Sequence, residues 1–425
     1  MSAIRVAVAC QGGGTHAAFT EGVLSEILAA QRRFAGDPDG GDRFEIASLS
    51  GTSAGALCAM AAWYGLAPNR ADATLGSPEA AIERLDHLWT TFTATTPAEQ
   101  TLDRWLAAAM RWSAAGMPTM NGGGPYDPAT ALALSGMEIL GARPEYLGFP
   151  ALLRSLCPHF DDVDWRAVAE RRLRLVAGAV EVISGNTETF DSDVNLTEMG
   201  LLPQAAGEDG ANRWRMRRPL SLAGIAASGT LPQVLPAEAI EDTVFPTCDP
   251  DTPVRRTGYY WDGMYSQNPP VRDLLDVPTV DDKPDEIWVV RINPQEYSPA
   301  SVRVGLDEIH DRENDLAGNL SLNQELDSVL TINRWIERHG REHPPLDTRK
   351  TITVRTIKMD RDTAWGLAHH SKLDRSAGHI RELRDEGRRV GADWIERWRA
   401  DGAAFDRYPD DARYPDAAAV APRRT

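Results

Sequence analysis

A β-prone run that ends in Ser50-Gly51-Thr52-Ser53-Ala54-Gly55 and passes straight into a helical one constrains this chain more than any other stretch. Phe44 to Leu49 reads as a short strand, and Ala56 to Tyr64 is rich in Ala, Met and Leu at helical spacing, so Ser53 falls at a strand-to-helix turn. That turn is too sharp for a Cβ on either side, which gives the flanking elbow glycines Gly51 and Gly55 a reason. It also sets the Ser53 hydroxyl at a helix N-terminus, where free N–H groups and the positive dipole end favour an alkoxide. The five-residue pattern alone is common by chance, so its meaning depends on what accompanies it.

Two other short pieces accompany it. Ile4 to Ala9 is a first strand, followed by Gly12-Gly13-Gly14 and then a helix over Ala17 to Gln31 with Phe19, Val23, Leu24, Ile27 and Leu28 on one face. A dinucleotide cradle is disfavoured, because the Gly-x-Gly-x-x-Gly fingerprint fails at Ala17 and no P-loop Lys-Ser/Thr follows. An oxyanion hole built from side-chain-free N–H groups, or a plain structural turn, are the readings left. Far downstream, Gly258 to Trp261 is a short aromatic strand that delivers Asp262, and Gly263 lets the backbone bend so that the carboxylate can face Ser53. By itself Asp-Gly reads first as a surface turn, and Asn268-Pro269 and the aromatic strand shift the reading toward catalysis.

Taken together, Gly-Gly-Gly-Thr-His-Ala before a helix, Gly-Thr-Ser-Ala-Gly-Ala at an elbow, Ala227-Ser228-Gly229-Thr230-Leu231-Pro232, and Asp262-Gly263 followed by Asn268-Pro269 resemble the patatin-like phospholipase family, in the family's order and over residues 11 to 269. The resemblance implies a Ser–Asp dyad, with Ser53 as nucleophile, Asp262 as its base and Gly12, Gly13 and Gly14 as the oxyanion loop. It further implies phospholipase A or lysophospholipase activity on a lipid acyl ester, with no metal and no cofactor. Three positions depart from the family pattern. His16 stands where Arg or Lys is usual, Ala17 where Gly closes the loop, and Met264 where Gly or Ala follows the aspartate, which is expected to narrow the acyl pocket. None of these removes a catalytic atom.

The net charge of −17 opposes nucleic acid and simple electrostatic attraction to an anionic bilayer, so any contact at a lipid interface has to be local and apolar. Cys10, Cys58, Cys157 and Cys248 show no metal-type pairing and are expected to be reduced thiols, mostly buried. The first strand starts close to Met1 without a signal-peptide pattern, and no run of about eighteen apolar residues occurs. A cytoplasmic location is therefore expected, peripheral at most to a membrane.

Strands alternating with helices predict an α/β fold, a mostly parallel central sheet flanked by helices, with the glycine loop, elbow and aspartate at the C-terminal edge of the strands. One domain is expected over 1–400, with a helical cap or insertion at about 68–170 and a disordered tail over 401–425. Helices are predicted over 79–93 and 98–115, packed on the core or forming a lid, with Gly122-Gly123-Gly124-Pro125 as a hinge before a helix that Tyr126-Asp127-Pro128 would start. Strands over 172–183, 286–292 and 350–357 and helices over 302–341 and 373–398 complete the reading; no internal repeat is visible. Two other function classes stay open. An α/β-hydrolase with a Ser-Asp-His triad could draw its histidine from His310, His369 or His370. A non-catalytic lipid-binding protein could keep the same fold.

Overall fold

The computed structural model describes residues 3–35, 43–114, 135–203, 215–232, 234–245, 253–277, 279–296, 306–367, 369–402 and 408. Strand β1 (Ile4–Cys10) is apolar on both faces, as a strand must be when helices cover both sides of a sheet. Val6, Val8 and Cys10 enter one core, Ala7 and Ala9 the other. β1 pairs in parallel with β2 (Phe44–Gly51) on one side and β8 (Glu286–Arg291) on the other, and β3 (Arg174–Glu181) and β9 (Thr353–Lys358) extend the parallel set beyond them. Past β3 the direction reverses. β4 (Thr187–Asp191) is antiparallel to β3, and β5 (Arg215–Pro219) follows β4 in parallel. A hairpin of β6 (Glu238–Phe245) and β7 (Val254–Asp262) joins through β7, giving nine strands in all among the described residues.

One face of the sheet carries α1 (Ala18–Ala35), α2 (Ala54–Leu66), α3 (Pro78–Phe92) and a long C-terminal helix, α7 (Ala377–Asp401), which lies along α1. The predicted face of α1, Phe19, Val23, Leu24, Ile27 and Leu28, is wholly buried. The other face is covered by α6 (Leu306–His339), whose Leu322, Leu326 and Val329 share a core with Ile287 and Val289. The short α5 (Leu222–Ser228) buries Ile225, Ala226 and Ala227 in the main core, and α4 (Pro97–Ala114) packs against the 369–373 turn.

Within the stretch expected as a cap, α3 sinks Leu85, Leu88 and Trp89 into the main core, whereas α4 leaves Trp105 64% exposed. The proposed hinge at 122–125 and the helix start at 126–128 lie outside the described residues. So do most positions of the expected tail; α7 ends at Asp401, and Tyr408 N–H donates to Val354 C=O at 3.1 Å. Cys10, Cys58 and Cys157 are free and buried, and burial pushes their thiols well above the ordinary range; Cys248 lies outside the described residues. Among the described residues no helix is long and apolar enough to cross a membrane.

Candidate active site

Ser53 sits between the end of β2 and the start of α2 with φ 56° and ψ −135°, a left-handed conformation that costs a non-glycine residue of the order of 1–3 kcal/mol. The surrounding contacts hold it there. Its N–H is shared between the carbonyl and the hydroxyl of Ser228, each at 3.1 Å, and the Ser228 hydroxyl donates to Gly178 C=O at 2.6 Å. Thr52 donates its hydroxyl to Gln267 C=O at 2.6 Å. Gly55 is needed for close approach, since a Cβ there would lie 2.3 Å from the carbonyl oxygen of Cys10; Gly51 packs as closely on Gly55. The elbow glycines thus let the start of α2 press against the end of β1.

Asp262 arrives by a route that strand alternation did not suggest. β2 stops at Gly51, opposite Ala177 of β3, and the vacated edge of β3 is taken by β7 running the other way, with Asp262 opposite Ala179. The aspartate therefore comes in on an antiparallel strand, two residues beyond the end of the strand that leads into Ser53. It thereby reaches the C-terminal edge of a mostly parallel sheet from the opposite direction. Its N–H donates to Thr230 C=O at 2.9 Å and Met264 N–H donates to its Oδ1 at 2.8 Å. Oδ2 is buried and has no hydrogen bond of regular geometry. Burial pushes the carboxyl up from 3.8 to about 7, against the Ser53 hydroxyl and Met264 N–H, which favour the charged form.

The glycine loop follows β1 and touches the elbow directly: a Cβ on Gly12 would stand 2.8 Å from the Ser53 Cβ. Gly12 N–H donates to Asn268 Oδ1 at 2.6 Å, whereas the Gly13 and Gly14 N–H groups reach no acceptor among the described residues. A set of buried amides fixes the loop from behind. Gln11 accepts from the N–H groups of Ile292 and Asn293, both at 3.0 Å, and donates to Asn319 Oδ1 at 2.9 Å; Asn293 Nδ2 lies 3.3 Å from Gly12 C=O. From the front, Thr15 donates to Ser371 C=O at 2.7 Å and the His16 ring meets the Ser371 hydroxyl at 2.8 Å. Position 16, where the family pattern has a cation, is here 4% exposed and tied to the C-terminal third of the chain.

Ser53, Asp262, Gly12, Gly13, Gly14, Gly51 and Gly55 thus converge at one end of the sheet. Ser53 is 7% exposed and Asp262 is fully buried. Of the three histidines considered for a triad, the side chains of His310 and His369 lie outside the described residues, and His370 stands in the 369–373 turn. Sequence reasoning missed Ser228 and Thr230 as the backbone staples of nucleophile and carboxylate, although the stretch containing them had been singled out. It also missed Gln11, Asn293 and Asn319, for which no local signal exists.

With this geometry in view, the comparisons with known proteins are specific. The family model described as "Patatin-like phospholipase" matches residues 8–275, which is more than half of the chain, and the chain belongs to that family of lipid acyl hydrolases. No curated protein matches. Among solved structures, the crystal structure of VipD from Legionella pneumophila is similar at 10% identity over 91% of this chain and 67% of that one, with a TM-score of 0.27.

Proposed function

We propose that the chain is a serine esterase of phospholipase A or lysophospholipase type that works through a Ser53–Asp262 dyad. The observation that carries this reading is the buried Asp262 carboxylate beside the Ser53 hydroxyl, with its Oδ2 bonded to no other group among the described residues. Ser53 Oγ attacks the ester carbonyl and passes its proton to Asp262. The tetrahedral oxygen is met by the Gly13 and Gly14 N–H groups, which reach no acceptor among the described residues, while Gly12 N–H is engaged by Asn268 and buttresses the loop. Collapse of the intermediate releases the alcohol with the proton from Asp262 and leaves an acyl-serine. Asp262 then deprotonates a water that attacks the acyl carbon, freeing the fatty acid and restoring Ser53.

A carboxylate serves as base here because burial brings its proton affinity close to neutrality, where a base is most effective. Tyr265, three residues after Asp262, and Leu316 and Leu320, beside the Asn319 that binds Gln11, are exposed apolar side chains on site-bearing elements. They suit local apolar contact with a lipid interface, which the net charge of −17 makes the favoured kind. Reaction with a fluorophosphonate probe followed by peptide mass spectrometry tests the assignment. Label is expected on Ser53 and nowhere else; an unlabelled protein, or label on another serine, overturns it.

A further inference from the structure

The family match ends at residue 275, yet one carboxylate beyond it holds the turn on which two parts of the site depend. Glu325, on the inner side of α6, accepts three hydrogen bonds from that turn: Gln267 Nε2 at 2.7 Å, Val271 N–H at 2.8 Å and Arg272 N–H at 2.7 Å. Arg215 Nη1 lies 3.5 Å away and balances its charge. The turn makes two contacts with the site. Gln267 C=O receives the Thr52 hydroxyl next to the nucleophile, and Asn268 Oδ1 receives the Gly12 N–H at the root of the glycine loop.

We infer that Glu325 is a positioning residue of this enzyme: by fixing the 267–272 turn it sets the Ser53 elbow and the glycine loop against each other. The inference rests on the dyad reading above. Its physical basis is that loop N–H groups lower a barrier only when already aimed at the developing oxyanion, since aiming them during the reaction would cost what they supply. Neither the elbow nor the loop aims itself, because each is a tight turn held through a contact from the 267–268 turn. A carboxylate that accepts two adjacent backbone N–H groups and one side-chain amide restrains a turn far better than one neutral acceptor.

Three variants decide it: Glu325→Ala, Glu325→Gln and Asn268→Ala, each in the full chain. Loss of an aimed donor lowers kcat, so Glu325→Ala and Asn268→Ala are expected to lose about 10- to 100-fold in kcat on a nitrophenyl ester with KM within about threefold. Glu325→Gln keeps an acceptor and should recover most of that loss. Affinity for a trifluoromethyl ketone, which presents an oxyanion, should fall in step with kcat, while affinity for decanoate should not move. In a Ser53→Ala background, backbone hydrogen exchange over residues 10–16 should quicken in Glu325→Ala and Asn268→Ala, a readout that needs no catalysis. Unchanged exchange over 10–16 in folded Glu325→Ala overturns the inference; should Glu325→Ala fail to fold, unchanged exchange in folded Asn268→Ala overturns it. An inactive wild type with quickened exchange would instead sink the dyad reading and leave the link from Glu325 to the loop in place. Equal losses of kcat and decanoate affinity would mark Glu325 as merely structural and also overturn it.

Discussion

At the scale of single residues the chemistry turns on what burial does to Asp262. The dyad would ordinarily be told from a histidine triad by its activity in acid, because a carboxylate stays ionised well below an imidazole. Here that test loses its force: a carboxyl raised to about 7 gives kcat/KM an acid limb near 7, where a histidine would also put it. The temperature dependence of that limb separates them, since carboxyl ionisation has little enthalpy and imidazole ionisation has much; a limb that barely moves on warming is expected. The same shift has a cost in stability with a definite sign. Between 3.8 and about 7 the folded protein holds a proton on Asp262 that the unfolded chain has released, so this group's contribution to stability falls as pH rises through that window. Asp262→Asn cannot titrate, and it should gain on the wild type by at most about 4 kcal/mol between pH 4 and pH 8 while losing hydrolysis altogether. Urea unfolding at the two pH values measures it; a variant equally or less favoured at pH 8 refutes the burial argument. Ser53→Ala should be as inactive as Asp262→Asn, and the double variant hardly worse, because nucleophile and base act as one unit.

At the scale of elements, a shared expectation for Gly13 and Gly14 divides. From sequence, a Cβ at either should intrude where the acyl oxygen binds and cost turnover far more than stability. In the structure a Cβ on Gly13 meets the tip of Ile292 at 2.8 Å, a flexible neighbour, whereas one on Gly14 would stand 2.1 Å from the Lys372 carbonyl oxygen, on a backbone with φ +60°. Gly13→Ala should therefore fold with a stability loss under about 1 kcal/mol and a kcat lowered about 10-fold or more, through displaced N–H groups. Gly14→Ala should lose about 2 kcal/mol or more, by strain and by pushing away the 369–373 turn. Thermal unfolding and kcat on the pair check this; equal stability losses would count against it. The elements carrying the motifs were legible because their patterns are local: short apolar runs in β1 and β2, the apolar face of α1, glycines at two turns. β5 was not. Arg215-Met-Arg-Arg-Pro has no strand alternation, and it is stabilised by distant carboxylates, Arg217 on Asp191, Arg218 on Glu188 at 2.7 Å, and Arg215 on Asp273. Glu325 escaped notice for the same reason, since its partners lie more than fifty residues earlier in the chain.

At the scale of the whole molecule, the family match and the folding unit have different limits. The matched residues end at 275, but β1, the central strand, needs β8 on its other side, and β8 needs β9. The C-terminal helix α7 closes the main core by packing Trp394 and Trp398 edge-to-face against Trp288 of β8, with ring centroids 4.8 and 5.3 Å apart, and Phe44 of β2 joins the same cluster at 4.9 Å from Trp288. Glu286 sits under these rings, accepting from the Trp288 and Trp398 indoles at 2.7 and 3.2 Å and paired with Arg355 of β9 at 2.8 Å. On the far side Glu21 of α1 is buried and paired with Arg384 of α7 at 2.7 Å. A chain ended after Leu275 would leave Glu21 as a buried carboxylate without its arginine and expose one edge of β1. It would also forgo the burial of three tryptophans, each of about 200 Å², or about 15 kcal/mol in all at about 25 cal/mol per Å². That already matches the net stability of a typical domain, about 5–15 kcal/mol. The expected outcome is that residues 1–275 alone are insoluble or bind hydrophobic dyes as an unfolded chain, with no fluorophosphonate labelling, while residues 1–408 keep a cooperative thermal transition and react at Ser53. A soluble, labelled 1–275 fragment would mean that the C-terminal third is an attachment to the fold and would remove the structural basis for the part assigned to Glu325.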